Sequence, residues 1–184
     1  MAQLVIRPMR EEDIPQLVQL EQEAFPDQGP GISFHRELHN RLASYIVACR
    51  AIGNRVAEGE SSPEGEVLGY AGLWFVLDEA HLISIAVGEA HQRQGVGHQL
   101  LTAALDLARE KAAIMMTLEV RVSNTSAQAL YEKFGFKRVG VRRGYYTDNH
   151  EDAYLMTVEH IDSSEYVERL ERLRTLSPQY SDGD

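Results

Sequence analysis

The stretch Gln92-Arg93-Gln94-Gly95-Val96-Gly97 constrains this chain more than any other. An apolar run, Leu82 to Val87, leads into it, and a helical pattern, His98 to Ala112, leads out of it. Strand, glycine loop and helix start form an arrangement that can hold phosphate. Glycines let the backbone approach a ligand closely. The first turn of a helix offers unpaired N–H groups at the positive end of its dipole. Arg93 adds a full positive charge beside them. A glycine pair before a helix is also what a plain, tight strand-to-helix turn looks like, so both readings stand at this point. Two other phosphate-binding readings fail. A dinucleotide-binding turn needs a third glycine three residues on, where Leu100 stands. A Walker A loop follows its second glycine with Lys-Ser/Thr, and no lysine follows Gly97.

The 184 residues suit one domain with a sizeable core. No run of about 18 apolar residues occurs, so no transmembrane helix is expected. The apolar run at Leu4-Val5-Ile6 is too short for a signal peptide. A single cysteine, Cys49, excludes an internal disulfide and reads as a small buried residue. Cytoplasm is the expected compartment. The formal charge of −10, from 28 acidic against 18 basic residues, argues against a nucleic-acid-binding module. It suits a cationic substrate drawn by long-range attraction, and equally suits mere solubility.

Gln3 to Arg7 reads as a first strand. Asp13 is a helix cap or first-turn acid for a helix whose spacing runs Ile14, Leu17, Val18, Glu21, Ala24 and Phe25, apolar except for Glu21. Pro26 to Gly31 is a loop by composition, and Ser33 caps a short helix with Phe34, Leu38 and Leu42 on one face. Ser44 to Cys49 and Glu66 to Val76 are strands, joined by a mobile connection at Gly53 to Gly65. A turn at Asp78 to Ala80 leads into the strand before the glycine loop, so the first half is an antiparallel meander. Val96, Leu100, Leu101, Ala104, Leu105 and Ala108 form the core stripe of the central helix.

Ala113 to Arg121 is the next strand. Met116, Leu118 and Val120 face one way; Thr117, Glu119 and Arg121 face the other. Ser123 to Ser126 is a turn with cap residues before a short helix carrying Ala127, Leu130, Tyr131 and Phe134, which Gly135 stops. Phe136 to Arg143 is a strand, Gly144 to His150 a loop, and Asp152 to Glu159 a returning strand. The tail pairs Asp162 with Glu165 in a capping box and carries Tyr166, Leu170 and Leu173 on a thin apolar face. The division expected is a domain over residues 1–160, then an amphipathic helix and a disordered acidic end over residues 161–184. The helix can pack on its own domain or on a partner.

The glycine loop, the Glu119 strand and the Asn124–Tyr131 segment together resemble the GNAT N-acetyltransferases. The match narrows to the RimI-like group, which acetylates the N-terminal alanine of a small-subunit ribosomal protein. Four stretches carry it: Ile85 to Val87, Gln92 to Gly97, Leu118 to Asn124 and Ala129 to Phe136, extended by Arg142 to Tyr146 and Glu151 to Ala153. The resemblance as a whole covers roughly residues 3 to 159. The resemblance implies an α+β fold: a mixed, mostly antiparallel sheet flanked by helices and splayed open to bind acetyl-CoA. The activity it implies is that of an acyltransferase. Backbone groups of Ile85, Ala86 and Val87 would hold the pantetheine and thioester. Amides of Arg93, Gln94, Gly95, Val96, Gly97 and His98 would hold the pyrophosphate. Asn124 would bond the cofactor's amide arm. Glu119 would be the general base, through a water, and Tyr131 the general acid to the leaving thiolate. Tyr145 and Tyr146 would line the peptide groove.

The residues alone leave alternatives open. Glu119 is also a strand glutamate on a solvated face or one paired with Arg121. Tyr131 is also a packed core ring, and Tyr145 and Tyr146 a hairpin tip. The phenol's ordinary pKa of about 10, against about 8.5 for a thiol, makes proton return by Tyr131 slightly uphill. No metal is expected. The first loop departs from the RimI-like pattern: where Pro-Trp-Ser often stands, Phe25-Pro26 is followed by Asp27-Gln28-Gly29-Pro30-Gly31.

The acceptor implied is a protein N-terminus, that of a basic ribosomal protein, with no direct contact to nucleic acid or membrane. An α-amine, with a pKa of about 7.7–8.0, is roughly a tenth neutral at pH 7, whereas lysine at about 10.4 is neutral only about 0.04% of the time. One carboxylate could then suffice as base. The alternatives are a lysine or small-amine acetyltransferase on the same fold, or a non-catalytic acetyl-CoA-binding protein.

Overall fold

A computed structural model describes residues 4–28, 31–51 and 65–176. The expected strand start at Gln3, the Gly53–Gly65 connection apart from Gly65, and the Ser177–Asp184 end lie outside the described residues. Among the described residues, seven strands form one sheet in the order β1-β2-β3-β4-β5-β7-β6. They are β1 (Leu4–Pro8), β2 (Ala43–Ala51), β3 (Gly65–Val76), β4 (Glu79–Val87), β5 (Met115–Arg121), β6 (Lys137–Arg142) and β7 (Ala153–Glu159). Helices α1 (Ile14–Ala24) and α2 (Phe34–Leu38) cross between β1 and β2. Helix α3 (Val96–Glu110) follows β4, α4 (Thr125–Lys133) follows β5, and α5 (Ser164–Thr175) follows β7. The expected mixed, mostly antiparallel sheet is present: every pairing is antiparallel except β4 with β5. That parallel pair needs a crossover, which α3 supplies.

Strand alternation sends side chains to two cores. In β2, Tyr45, Val47 and Cys49 join Met9, Leu17, Leu20 and Phe34 under α1 and α2. Ile46 and Ala48 join the α3 side with Leu100, Leu101 and Leu105. Each such leucine is fully buried, worth about 2 kcal/mol by area. Met116, Leu118 and Val120 of β5 belong to the α3 core, as their spacing requires, which puts Glu119 on the α1/α2 face.

Several local expectations change. Asp13 stands at the N-cap of α1 without a side-chain cap bond to it, and is a first-turn acid of the short 3-10 turn Glu11–Asp13. Its carboxylate accepts from Arg10 N–H (2.8 Å) and forms a buried, two-bond pair with Arg7 (2.7 and 2.8 Å). Ser33 makes no side-chain cap on α2, and Leu42 lies outside that helix, half exposed. The N-cap of α5 is Ser163, accepting from Tyr166 N–H (3.2 Å), rather than Asp162. The thin apolar face of α5 is seated on its own chain: Tyr166, Leu170 and Leu173 join the α3 core. Tyr166 Oη donates to Phe134 O (2.8 Å) and the Arg169 guanidinium to Lys133 O (3.0 Å). These donors satisfy carbonyls at the end of α4 that the helix itself leaves unpaired.

Candidate active site

The site begins where β4 and β5 part. Their parallel pairing runs from Glu79↔Met115 to Leu82↔Leu118 and stops. At the same point the β3–β4 register steps from Leu73↔Leu82 to Gly72↔Ser84, so Ile83 is the extra residue of a bulge. A bulge bends its strand. Beyond it, Ile83 to Val87 and Glu119 to Arg121 border a fork instead of a ladder. A cavity of about 550 Å3 opens there, lined by Ser84, Ile85, Glu119, Asn124, Tyr131 and Tyr146 among others.

The fork runs toward the start of α3. Gly95 is the N-cap, at φ +83° in the left-handed region that only glycine enters without cost. No side chain caps α3, so the N–H groups of its first turn remain for another acceptor. A Cβ on Gly97 would come no closer than 3.7 Å to Val87 and 4.0 Å to Leu130, ordinary contacts. The chain's own packing therefore does not demand glycine there, whereas a ligand lying over the turn between β4 and α4 would. The residues present fit a pyrophosphate on this turn. Arg93 is exposed at φ +64° with its guanidinium 3.5 Å from Ser126 Oγ, and Gln94 is held by its amide to Ala90 O (3.0 Å). The His98 ring turns the other way, into the core against Phe134 (4.9 Å between centroids), with both ring nitrogens unpartnered. Burial, then the charge of Lys133, pushes its pKa down, so the ring is neutral, and only the backbone N–H of His98 is left to face the turn.

Asn124 is the N-cap of α4. Its side-chain oxygen accepts from Ala127 N–H (3.1 Å), which leaves the carboxamide NH2 as the donor for a ligand. Tyr131, one face of α4 onward, lines the same cavity and is otherwise buried. Burial raises its pKa well above the ordinary phenol value, so it keeps its proton.

Glu119 does not pair with Arg121. Its Oε2 lies 2.6 Å from His81 Nε2, and its Oε1 3.1 Å from Arg142 Nε. His81 is on β4 between buried Ala80 and Leu82, so it shares the face of Glu119. Arg142 reaches over from β6. The Glu119 side chain is only 8% exposed. Burial pushes its carboxyl up, but the His81 bond and the charges of His81 and Arg142 outweigh it and hold the carboxyl below its usual range. The group is thus a reliably ionised acceptor at neutral pH and a weak base.

Arg121 serves the β6–β7 loop instead. Its guanidinium pairs with Asp148 (2.7 Å) and Glu151 (3.4 Å), donates to Asn149 Oδ1 (3.1 Å) and stacks 3.8 Å above the Tyr146 ring. Tyr145 packs edge-on to Tyr146 (5.1 Å) and is 45% exposed. Burial, against the charge of Arg121, pushes the Tyr146 phenol up to about 12. Every residue proposed from the sequence for base, acid and groove lies at this one cavity. His81 and Arg142 were missed. Strand alternation could have placed His81 on the face of Glu119; nothing local signalled Arg142, which arrives from two strands away.

Among the described residues no group of three or more His, Cys, Asp or Glu could hold a metal, and no helix is long and apolar enough to cross a membrane. The sequence model of the acetyltransferase (GNAT) family matches residues 14–136. A Bacillus subtilis (strain 168) protein, provisionally named a ribosomal protein bS18-alanine N-acetyltransferase, is 39% identical over 154 residues, 83% of this chain and 93% of that protein. A Sulfurisphaera tokodaii N-alpha-acetyltransferase is 36% identical, over 82% of this chain and 90% of that protein. The crystal structure of the ribosomal-protein-S18-alanine N-acetyltransferase from Escherichia coli superposes with a TM-score of 0.67 at 30% identity, covering 85% of this chain and 94% of that one.

Proposed function

This chain belongs to the acetyltransferase (GNAT) family, and from that premise we propose that it transfers the acetyl group of acetyl-CoA to the α-amino group of a protein N-terminus. The acceptor is the N-terminal alanine of ribosomal protein bS18, the substrate for which its relatives are named. A basic ribosomal protein as partner and a cytoplasmic location belong to the same reading.

Acetyl-CoA supplies the thioester. The backbone of Ile85 to Val87 and the NH2 of Asn124 hold its pantetheine arm, and the amides of Arg93 to His98 its pyrophosphate. Glu119, through a water, accepts the proton that the acceptor ammonium must lose. The neutral nitrogen then attacks the thioester carbon, a C–N bond forms and the C–S bond breaks. Tyr131 donates a hydrogen bond to the sulfur as charge collects there. The second proton of the nitrogen passes to the CoA sulfur, and the one on Glu119 is released to solvent, with Arg142 and His81 keeping Glu119 ionised between turnovers. A phenol raised this far stabilises the sulfur as a donor more readily than it gives its proton up.

The observation that carries this reading is the double pairing of Glu119 at the mouth of the strand fork. A weak carboxylate base suits an amine that is easily deprotonated. A lysine ammonium is about 3.5 kcal/mol harder to deprotonate than an α-ammonium, whatever the base. The test is CoA release with two peptides. One begins with the bS18 alanine; the other has its α-amine blocked and a lysine kept. Turnover on the first alone supports the reading. Turnover on the blocked peptide moves the acceptor to lysine or small amines.

A further inference from the structure

Glu21 belongs to none of the groups used above, yet it lines the same cavity. Helix α1 buries Ile14, Leu17 and Leu20 against the sheet, and Glu21 sits at the flank of that stripe. Both its carboxylate oxygens accept the N–H of Ile32, at 2.9 and 3.0 Å. That bond spans 11 residues and ties the α1–α2 connection back onto α1. Gly31 stands directly against it. A Cβ there would lie 2.7 Å from Glu21 Oε2, too close for any side chain unless the carboxylate moved. Glu21 and Gly31 therefore fit one another as anchor and seat.

No cation pairs with this carboxylate among the described residues, and burial pushes its carboxyl above the usual range. A half-buried charge satisfied by a single N–H is costly, and α1 does not need it. The helix is already held by its apolar stripe, and its approach by the buried Arg7–Asp13 pair. What the bond does hold is a wall. Phe25, Gly31 and Ile32 line the cavity from the α1–α2 side, whereas Tyr145 and Tyr146 line it from the β6–β7 loop, on the far side of β5.

We propose that Glu21 is a positioning residue for acceptor recognition: its carboxylate pins Gly31 and Ile32 as the wall that receives the first residue of the acceptor. The inference rests on the acetyl-transfer reading for its kinetics and on exchange for its structure. The geometry makes Glu21 a hydrogen-bond acceptor, not a base and not a counter-ion.

Three variants test this. Glu21→Ala removes the anchor. Gly31→Ala pushes it aside. Glu21→Gln keeps an oxygen for Ile32 N–H and drops the charge. Hydrogen exchange over residues 25–34 is expected to speed up in the first two and to change little in the third, a result that does not depend on turnover. In steady-state assays with the alanine peptide, Glu21→Ala is expected to raise acceptor KM about tenfold with kcat and acetyl-CoA KM nearly unchanged. The double variant Glu21→Ala/Gly31→Ala is expected to match Glu21→Ala alone, since both act through one contact. Unchanged exchange in Glu21→Ala would overturn the proposal. So would Glu21→Gln behaving like Glu21→Ala, which would make the charge the active element. Normal exchange effects with no turnover on any α-amine would instead sink the acetyl-transfer reading and leave the pin in place.

Discussion

His81 Nε2 lies 2.6 Å from Glu119 Oε2, and the two residues come from neighbouring parallel strands at the point where those strands stop pairing. On the proposed reading, the fork that would admit a thioester also creates the pair that would tune the base. Glu119→Gln removes the charge and keeps the shape. It is expected to lower kcat/KM by about 10²–10³ while acetyl-CoA affinity stays the same. Stopped-assay kinetics beside calorimetry of acetyl-CoA binding would check both halves. A loss of only a few fold would mean that Glu119 is not the proton acceptor.

Replacing His81 by Gln acts on pH. His81 holds the Glu119 carboxyl down; without it burial has less to oppose it, and the carboxyl rises. As the proposed base Glu119 works when ionised, so the acidic limb of the kcat/KM profile is expected to move to higher pH. Arg142→Gln is expected to move it the same way, less strongly, because Arg142 is 53% exposed. Profiles that superpose on wild type would show that neither residue is coupled to the base.

Tyr131→Phe removes one hydroxyl from an otherwise buried ring, so folding is expected to be intact. We expect kcat to fall about 10- to 100-fold with acetyl-CoA KM little changed. Because burial raises this phenol, its ionisation is not expected to shape the wild-type profile up to about pH 10. Wild-type kcat in the variant would reduce Tyr131 to packing.

Arg121 gathers Asp148, Asn149, Glu151 and the Tyr146 ring. Arg121→Met keeps the stem and loses the fork of donors. Acceptor KM is expected to rise about tenfold, with acetyl-CoA KM unmoved. An equal rise in both constants would indicate general damage instead of a displaced tyrosine loop.

The Arg7–Asp13 pair concerns stability. Both side chains are under a tenth exposed. Asp13→Asn strands a buried guanidinium and is expected to cost about 3 kcal/mol in denaturant melts at pH 7. Burial raises the Asp13 carboxyl, but the Arg7 and Arg10 bonds outweigh it and hold it low. Its contribution is therefore present above the unfolded pKa of about 3.9 and is lost as pH falls through the lower folded value. The gap between wild type and Asp13→Asn should narrow in acid; a constant gap would contradict the ionic origin.

Local chemistry made much of this molecule readable. Met116, Leu118 and Val120 alternate with Thr117, Glu119 and Arg121, and a strand has only two faces, so that Glu119 faces the other side followed from period alone. The stripe of α3 and the glycine before it followed in the same way from helical period and backbone sterics. Cap assignments fared worse. Ser33 and Asp162 have the right chemistry, but a cap depends on where the chain enters the helix; Asp13 held as a first-turn acid, its carboxylate turned to Arg7 and the Arg10 N–H instead of to α1.

Sequence by itself determined the main helices and strands, the two-faced strands and the glycine turn into α3, because each rests on periodicity or on backbone conformation, whereas Glu119, Tyr131, Asn124, Tyr145 and Tyr146 were picked out by motifs that resemble a family and their roles are proposals. The partners of those residues were decided only by the tertiary structure. His81 is 38 residues from Glu119 and Arg142 approaches from the strand beyond β7, while Glu21 meets Ile32 by closing a loop. Such contacts depend on strand order, on a bulge at Ile83 and on how far each side chain reaches. Charge pairing falls steeply with distance and with solvent, so which ions meet was settled when the sheet assembled.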